Sequence, residues 1–199
     1  LRDHGFEILG IDASEKMISV ANEKKSSLGE HNIDFETCNS EDFHTDLEWD
    51  FAVSLFFMLG YQVSDESIMK TFLAVRSCIR TGGIFAFDFW YGPSVIKKGC
   101  FPNEIRVETR NHRMIRKSSP SIIHEDSSVR IMQSYSIQDK KTEEYEDFNE
   151  VHKVRYFDEK QLPSFLYKCS FDVIRFEAFM GHKPLQETDW AGMAFARAI

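Results

Sequence analysis

The amino-acid sequence predicts an α/β fold in which a largely parallel sheet is interrupted by an inserted antiparallel β subdomain. Apolar strand segments alternate with helical segments over the first ninety residues, which is the order that a parallel sheet requires. Residues 103–157 instead contain alternating strand-like segments without a long helical pattern. The earlier pattern returns near residue 158. We therefore expect an α/β domain over 1–93 and 158–199, and the insertion over 94–157.

The first part of the α/β domain is predicted to contain four strands and two helices. Ser14 is expected to cap a helix that extends to about residue 25, and a second helix is expected to begin at Asp65 or Ser67. Residues 80–83 (RTGG) predict a sharp turn. The nearly continuous apolar run 51–57 predicts a central strand that is covered on both faces. The predicted strands are 6–11, 33–38, 51–57 and 84–89.

The rest of the chain is predicted to form the inserted sheet and the end of the α/β domain. Alternating segments of the insertion cover 105–115, 128–137 and 144–156. A helix over 158–168 and strands over 171–179 and 190–198 are expected to follow. Because exposed sheet edges pair readily, we expect the inserted sheet to act as a lid or as the contact surface of a homodimer.

Composition excludes several classes of protein. The chain has 199 residues with 42% hydrophobic and 28% charged residues, which are ordinary globular values. Its net charge of −8 argues against a general nucleic-acid surface, because phosphate binding needs clustered basic residues. No apolar run is long enough to cross a bilayer. The four cysteines lie far apart, without metal-ligand spacing, so we expect reduced thiols, no metal site and a cytoplasmic location.

The segment 6–17 (FEILGIDASEKM) is the most informative stretch of the sequence. An apolar strand leads into a single acid, Asp12, and a helix opens directly after it. A carboxylate at the carboxyl end of a strand can accept hydrogen bonds from both hydroxyls of a ribose, as in nucleoside-binding α/β folds. The glycine-rich turn of such folds would precede residue 1, so we expect this chain to be a fragment of a longer protein.

Four segments together resemble the class I S-adenosylmethionine-dependent methyltransferases. They are GIDASEKMISVA (10–21), SLFFMLGY (54–61), IRTGGIFAFDFWYGP (79–93) and VHKVRYFDEKQLPSFLYKCSF (151–171). The resemblance is strongest to the N,N-dimethyltransferases of nucleotide-linked amino sugars. It implies a Rossmann-like methyltransferase sheet whose first strand is missing here, S-adenosylmethionine as cofactor, and a small polar acceptor methylated on nitrogen or less readily on oxygen.

The resemblance also implies roles for individual residues. Asp12 would hold the ribose diol, and Tyr61 would face the acceptor. The other implied cofactor contacts are Ala13 and Met17 at the adenine face, Asn39, Ser40 and Glu41 at the adenine edge, and Leu55 and Phe56 beneath the methionine portion. Asn39 stands where the family usually carries an acid, but its amide oxygen can still accept a hydrogen bond.

Four residues are candidates for the acceptor side of the site. Tyr61 can orient an acceptor or relay a proton, and the imidazole of His152 suits proton transfer at neutral pH. Trp90 and Tyr91 follow a strand at its carboxyl end, where open α/β sheets bind ligands, so both are predicted to contact substrate. Structural alternatives remain open: Asp12 as a helix-start acid, and Met17, Tyr61 and His152 as ordinary packing or hydrogen-bonding residues.

Two other functions compete with methyl transfer at this stage. The first is a non-catalytic scaffold with a methyltransferase-like fold, which would use the inserted sheet for protein contacts. Asn39 and the absent glycine-rich turn motivate this alternative. The second is a dinucleotide oxidoreductase, which would also place an acid at position 12. The segment 54–61 and the final segment WAGMAFARAI fit an oxidoreductase poorly.

Overall fold

A computed structural model describes residues 5–199, and within that range the chain forms ten strands and four α-helices. None of these helices combines the length and apolar character needed to cross a membrane. The α/β elements are β1 (Ile8–Asp12), α1 (Glu15–Leu28), β2 (Ile33–Thr37), β3 (Trp49–Ser54), α2 (Asp65–Cys78), β4 (Ile79–Trp90), α3 (Gly92–Lys98), α4 (Leu162–Lys168), β9 (Phe171–Ala178) and β10 (Ala191–Ala198). The inserted elements are β5 (Asn103–Glu108), β6 (His112–Ile123), β7 (Ser128–Asp139) and β8 (Tyr145–Arg155).

The strands form three sheets. β1 and β2 pair in parallel, and β3 pairs in parallel with β4. β10 and β9 then continue the β4 edge in antiparallel orientation, giving the order β3-β4-β10-β9. The four inserted strands form an antiparallel sheet in sequence order. The predicted α/β fold with an antiparallel insertion is therefore confirmed.

The main core lies around β4, because this strand has neighbours on both sides and helices above it. Phe72 of α2 is fully buried and contacts the rings of Phe85 and Phe87, with centroids 5.6 and 5.4 Å away. Leu162 and Leu166 of α4 are also fully buried in the same cluster. Burial of side chains of this size is the principal stabilising term of such a domain.

The start of α1 has the predicted form. Ser14 adopts an extended backbone conformation, and its hydroxyl accepts a hydrogen bond from the Met17 N–H at 3.3 Å. The helix ends at Leu28, three residues later than expected, where Gly29 takes a left-handed conformation with φ 64°. The N-cap therefore fixes where the chain leaves β1 and turns away from Asp12.

The prediction of a doubly covered strand over 51–57 is wrong. β3 ends at Ser54, and the side chains of Phe51 and Val53 are 57% and 48% exposed. The apolar run continues into a turn, and a single turn of 3-10 helix follows over Met58–Tyr61. The apolar character of the sequence could not show where the strand ends and the turn begins, because both segments carry apolar side chains.

Three further elements differ from prediction. Residues 80–83 do not reverse the chain: they form a bulge within β4, where Trp49 pairs with Ile79 but Phe51 pairs with Ile84. α3 was not predicted, although Pro93 in its first turn is a typical start signal. α4 begins at Leu162 rather than at residue 158 and also carries a proline in its first turn.

Candidate active site

The ends of β1 and β2 lie side by side at one edge of the fold. Asp12 is the last residue of β1 and pairs with Thr37, the last residue of β2. The Cys38 N–H donates to the Asp12 carbonyl oxygen at 3.0 Å, so the chain continues from there into the exposed Asn39. The carboxylate of Asp12 and the amide of Asn39 therefore lie at the same edge, as the resemblance implies.

The Asp12 carboxylate is half-buried, and one of its two oxygens has no hydrogen-bond partner among the described residues. Its Oδ1 accepts a hydrogen bond from the Ser14 N–H at 2.8 Å, which also helps to start α1. No basic side chain pairs with Asp12 in the part of the chain that the structure describes. The geometry thus combines a capping contact with a carboxylate oxygen that remains available to a ligand.

The other predicted cofactor residues divide into two groups. Ala13, Met17 and Asn39 are exposed, and the Met17 side chain, at 58%, is not part of the core. Ser40 and Glu41 instead anchor the loop after β2 to the start of α2. The Gln62 amide donates to Ser40 Oγ at 3.2 Å, and the Ser67 hydroxyl lies 2.5 Å from Glu41 Oε1. These two side chains therefore hold the loop after β2 in place.

Leu55 and Phe56 follow directly after the end of β3 at Ser54. Leu55 is half-buried, whereas the Phe56 side chain is 81% exposed. Phe56 also has a left-handed backbone with φ 63°. A large exposed ring in a conformation that L-residues rarely adopt is typical of a ligand-contacting position.

Tyr61 and His152, the two predicted catalytic residues, lie together although 91 positions separate them. The Tyr61 hydroxyl lies 3.3 Å from His152 Nδ1, and His152 Nε2 lies 3.2 Å from Glu150 Oε2. Glu150 was missed at the sequence level. Its spacing of two from His152 was the available signal, because alternate residues of a strand share one face of a sheet.

The direction of these hydrogen bonds depends on which ring nitrogen of His152 carries the proton. Burial, and next the negative charge of Glu150, raises the pKa of the Tyr61 hydroxyl above its usual value. In the His152 tautomer with its proton on Nε2, the Tyr61 hydroxyl donates to Nδ1. The Nε2–H of His152 then donates to Glu150, which is the orientation of a general base held by a carboxylate.

Gly60 brings the 3-10 turn close enough to β8 for this contact. A Cβ at this position would lie 2.6 Å from Val154 Cγ1 and 3.1 Å from the Arg155 carbonyl oxygen. Only glycine therefore fits between the turn and the strand. Tyr61, the next residue, reaches His152 because of this close approach.

We expect Gly60→Ala to destabilise the protein by about 1–3 kcal/mol, because the added methyl overlaps atoms of β8. Urea unfolding followed by circular dichroism measures this change. Met58→Ala in the same turn is the control, since the Met58 side chain is 50% exposed, and it should shift stability by less than about 0.5 kcal/mol. Equal stability of Gly60→Ala and wild type would contradict the close contact.

Trp90 and Tyr91, the two predicted substrate residues, occupy different environments. Trp90 is half-buried, contacts the rings of Phe57 and Trp190, and has its indole N–H buried without a partner among the described residues. Tyr91 is only 4% exposed and belongs to the main core. The structure thus leaves Trp90 as the member of the pair with accessible surface.

Tyr91 gives the protein an alkaline stability limit. Burial, together with the nearby carboxylates Glu159 and Asp158, raises its pKa from 10.0 to about 12. Because the folded state holds this proton more tightly than the unfolded state does, the contribution is complete below pH 10 and is lost as the pH rises towards 12.

We therefore expect the urea midpoint of wild type to fall between pH 10 and pH 12 and that of Tyr91→Phe to fall less. Tyr167→Phe is the matched control, because the Tyr167 side chain is 71% exposed. It should follow the wild-type curve. A Tyr91→Phe curve that also followed wild type would show that Tyr91 does not set the limit.

Parts of the sequence are similar to known methyltransferases. Residues 1–83 match the family described as "Methyltransferase domain". The chain is 26% identical over 184 residues to the "Putative methyltransferase YqeM" of Bacillus subtilis, which covers 89% of this chain and 70% of that protein.

Two solved structures share the fold. The crystal structure of a S-adenosylmethionine-dependent methyltransferase from Clostridium acetobutylicum matches with a TM-score of 0.81 at 17% identity, covering 96% of this chain and 74% of that chain. S-adenosylmethionine-bound CalS10, an amino pentose methyltransferase from Micromonospora echinaspora, matches with a TM-score of 0.70 at 12% identity, covering 96% and 73%.

Residues 1–83 are thus similar to a methyltransferase domain, and the chain shares its fold with S-adenosylmethionine-dependent methyltransferases.

Proposed function

We propose that the protein transfers a methyl group to a nitrogen atom of a small polar acceptor, with a nucleotide-linked amino sugar as the leading class. The observation that carries this proposal is the Tyr61–His152–Glu150 relay. An amine that is protonated at neutral pH must lose a proton before it can attack, and this relay can take it. The fold shared with CalS10 supports the same acceptor class.

The residues at the edge of the sheet suit the proposed cofactor. S-adenosylmethionine, when bound, supplies a methyl group on a sulfonium centre that needs no further activation. The free oxygen of Asp12 would hold the ribose hydroxyls, and the exposed ring of Phe56 would cover the methionine portion. Orientation of the two reactants at such a site can supply about 7–11 kcal/mol of the barrier.

The relay would act on the acceptor. Tyr61 accepts a proton from the acceptor on its oxygen while its own proton passes to Nδ1 of His152. The imidazolium that forms is stabilised by Glu150 at 3.2 Å. Because the phenol gives up one proton as it takes another, Tyr61 stays neutral, and the imidazolium then releases its proton to solvent.

The face of the inserted sheet that carries His152 supports a polar, anionic acceptor. Arg116 pairs with Tyr135, and Tyr135 pairs with Phe148, which shares the face of His152. The guanidinium Nε of Arg116 is buried without a hydrogen-bond partner among the described residues. An arginine in this setting suits a phosphate, such as those of a nucleotide-linked sugar.

Methylation of oxygen is the second candidate, since a hydroxyl acceptor needs a base even more than an amine does. The test compares the two acceptor classes directly. The protein is incubated with S-adenosylmethionine and either a nucleotide-linked amino sugar or the corresponding sugar that carries only hydroxyls, and the products are analysed by mass spectrometry. Methylation of the amino sugar alone supports the proposal, and methylation of the hydroxyl sugar alone overturns it.

We also propose a cellular compartment and an oligomeric state for the protein. All four cysteines are free thiols, which fits a reducing compartment such as the cytoplasm. Both edge strands of the inserted sheet, β5 and most of β8, are exposed, which fits a homodimer formed through this sheet. Light scattering of the purified protein tests the second proposal.

A further inference from the structure

Asp88 is a fully buried carboxylate that the proposed reaction does not use. It lies near the end of β4, and its side chain reaches the turn that follows β3. Its Oδ2 accepts a hydrogen bond from the Phe56 N–H, and its Oδ1 accepts one from the Phe57 N–H, both at 2.8 Å. One carboxylate therefore holds two successive backbone amides.

The two amides belong to a strained turn. Phe56 and Phe57 both have φ 63°, a left-handed conformation that costs free energy for bulky L-residues. Successive amides in such a turn point to one side and form a concave anion site. In this protein the anion is the side chain of Asp88.

The turn sends the two rings in opposite directions. Phe57 packs against Trp90 and Phe179, with ring centroids 6.1 and 5.8 Å away. Phe56 instead projects outward and is 81% exposed.

Burying the carboxylate is itself unfavourable. Desolvation raises the pKa of Asp88, while the hydrogen bonds from the Phe57 and Phe56 amides lower it. The ionised form alone offers acceptor oxygens to both amides at once. A group kept in this unfavourable position is explained by the turn that it holds.

We propose that Asp88 is a positioning residue that fixes the Phe56–Phe57 turn and thereby presents the Phe56 ring to the bound cofactor. This inference rests on the proposed role of Phe56 at the methionine portion. Asp88 acts only through the turn and touches neither reactant.

The test measures S-adenosylhomocysteine affinity by calorimetry for the protein and its variants. Asp88→Asn keeps the side-chain shape but turns an NH₂ group towards one of the two amides, so we expect affinity to fall about tenfold. Phe56→Ala should fall by a similar factor without loss of stability, because the ring is exposed. The double variant should bind no more weakly than the weaker single variant, because both changes remove one interaction.

Hydrogen exchange of residues 54–61 reports on the turn without any ligand. In Asp88→Asn the amides of Phe56 and Phe57 should exchange faster than in wild type, while α2 keeps its protection. Asp172→Asn, an exposed aspartate of β9, is the matched control and should change neither measurement.

The outcomes distinguish two claims: that Asp88 holds the turn, and that the turn serves cofactor binding. Unchanged exchange in Asp88→Asn would show that Asp88 does not hold the turn. Faster exchange with unchanged affinity, or wild-type affinity of Phe56→Ala, would show that the turn does not serve the cofactor. If wild type bound no S-adenosylhomocysteine, the cofactor assignment would be wrong, and the exchange data would still decide the role of Asp88.

Discussion

Asp12→Ala is expected to weaken S-adenosylhomocysteine binding about 100-fold. The carboxylate is expected to accept hydrogen bonds from two ribose hydroxyls, and hydrogen bonds to a charged group contribute about 1.5–3 kcal/mol each. A loss of about 2.8 kcal/mol corresponds to the stated factor. Isothermal titration calorimetry measures the affinity directly.

Asp12→Asn separates cofactor binding from helix capping. An amide oxygen can still accept from the Ser14 N–H, which Asp12 Oδ1 contacts at 2.8 Å, so α1 should begin as in wild type. The amide loses the charge and one acceptor, and we expect an intermediate loss of about tenfold. Glu23→Gln on the exposed side of α1 is the control for a change of charge. Wild-type affinity in Asp12→Ala would remove the basis of the ribose assignment.

His152→Ala is expected to lower kcat about 100-fold with a cofactor affinity close to that of wild type. General acid–base catalysis by a positioned side chain contributes about 10²–10⁴-fold, and His152 is the proton acceptor of the relay. Initial rates with the methylated acceptor from the product assay measure kcat. Raising the pH should partly restore the rate of the variant, because the acceptor then loses its proton to solvent.

Two related variants refine this result. Tyr61→Phe should also lower kcat, since the phenol joins the acceptor to His152. Glu150→Gln should have a smaller effect of about tenfold, because it removes only the charge that stabilises the imidazolium. His124→Ala, an exposed histidine after β6, is the control. A wild-type kcat in both His152→Ala and Tyr61→Phe would mean that the acceptor reacts without the relay.

Much of the fold and part of the site could be predicted from short segments of the sequence. Ser14 and its helix were predicted correctly because an N-cap depends only on neighbouring residues. The position of Asp12 at the end of a parallel strand followed from the strand–acid–helix order. The presence of an antiparallel insertion within the α/β part followed from the change of hydrophobic periodicity along the chain.

Features that depend on distant residues escaped prediction. The end of β3 at Ser54 is set by Asp88, which lies on another strand and holds the two amides after it. Glu150 becomes part of the relay only because Gly60 lets the turn that carries Tyr61 approach β8. The burial of Tyr91 depends on elements that lie far along the chain, such as Phe157. No local pattern encodes such contacts.

The relay joins parts of the fold that are separate in sequence: Tyr61 belongs to the α/β framework, and His152 belongs to the insertion. An ion pair joins the same two parts at the start of α2, where Arg155 lies 2.7 Å from Asp65. If the insertion swung outward to admit an acceptor, the proton path would be broken until it returned. Proton transfer would therefore require the closed position of the insertion. In the open position the protein could hold its methyl donor but could not activate a nucleophile.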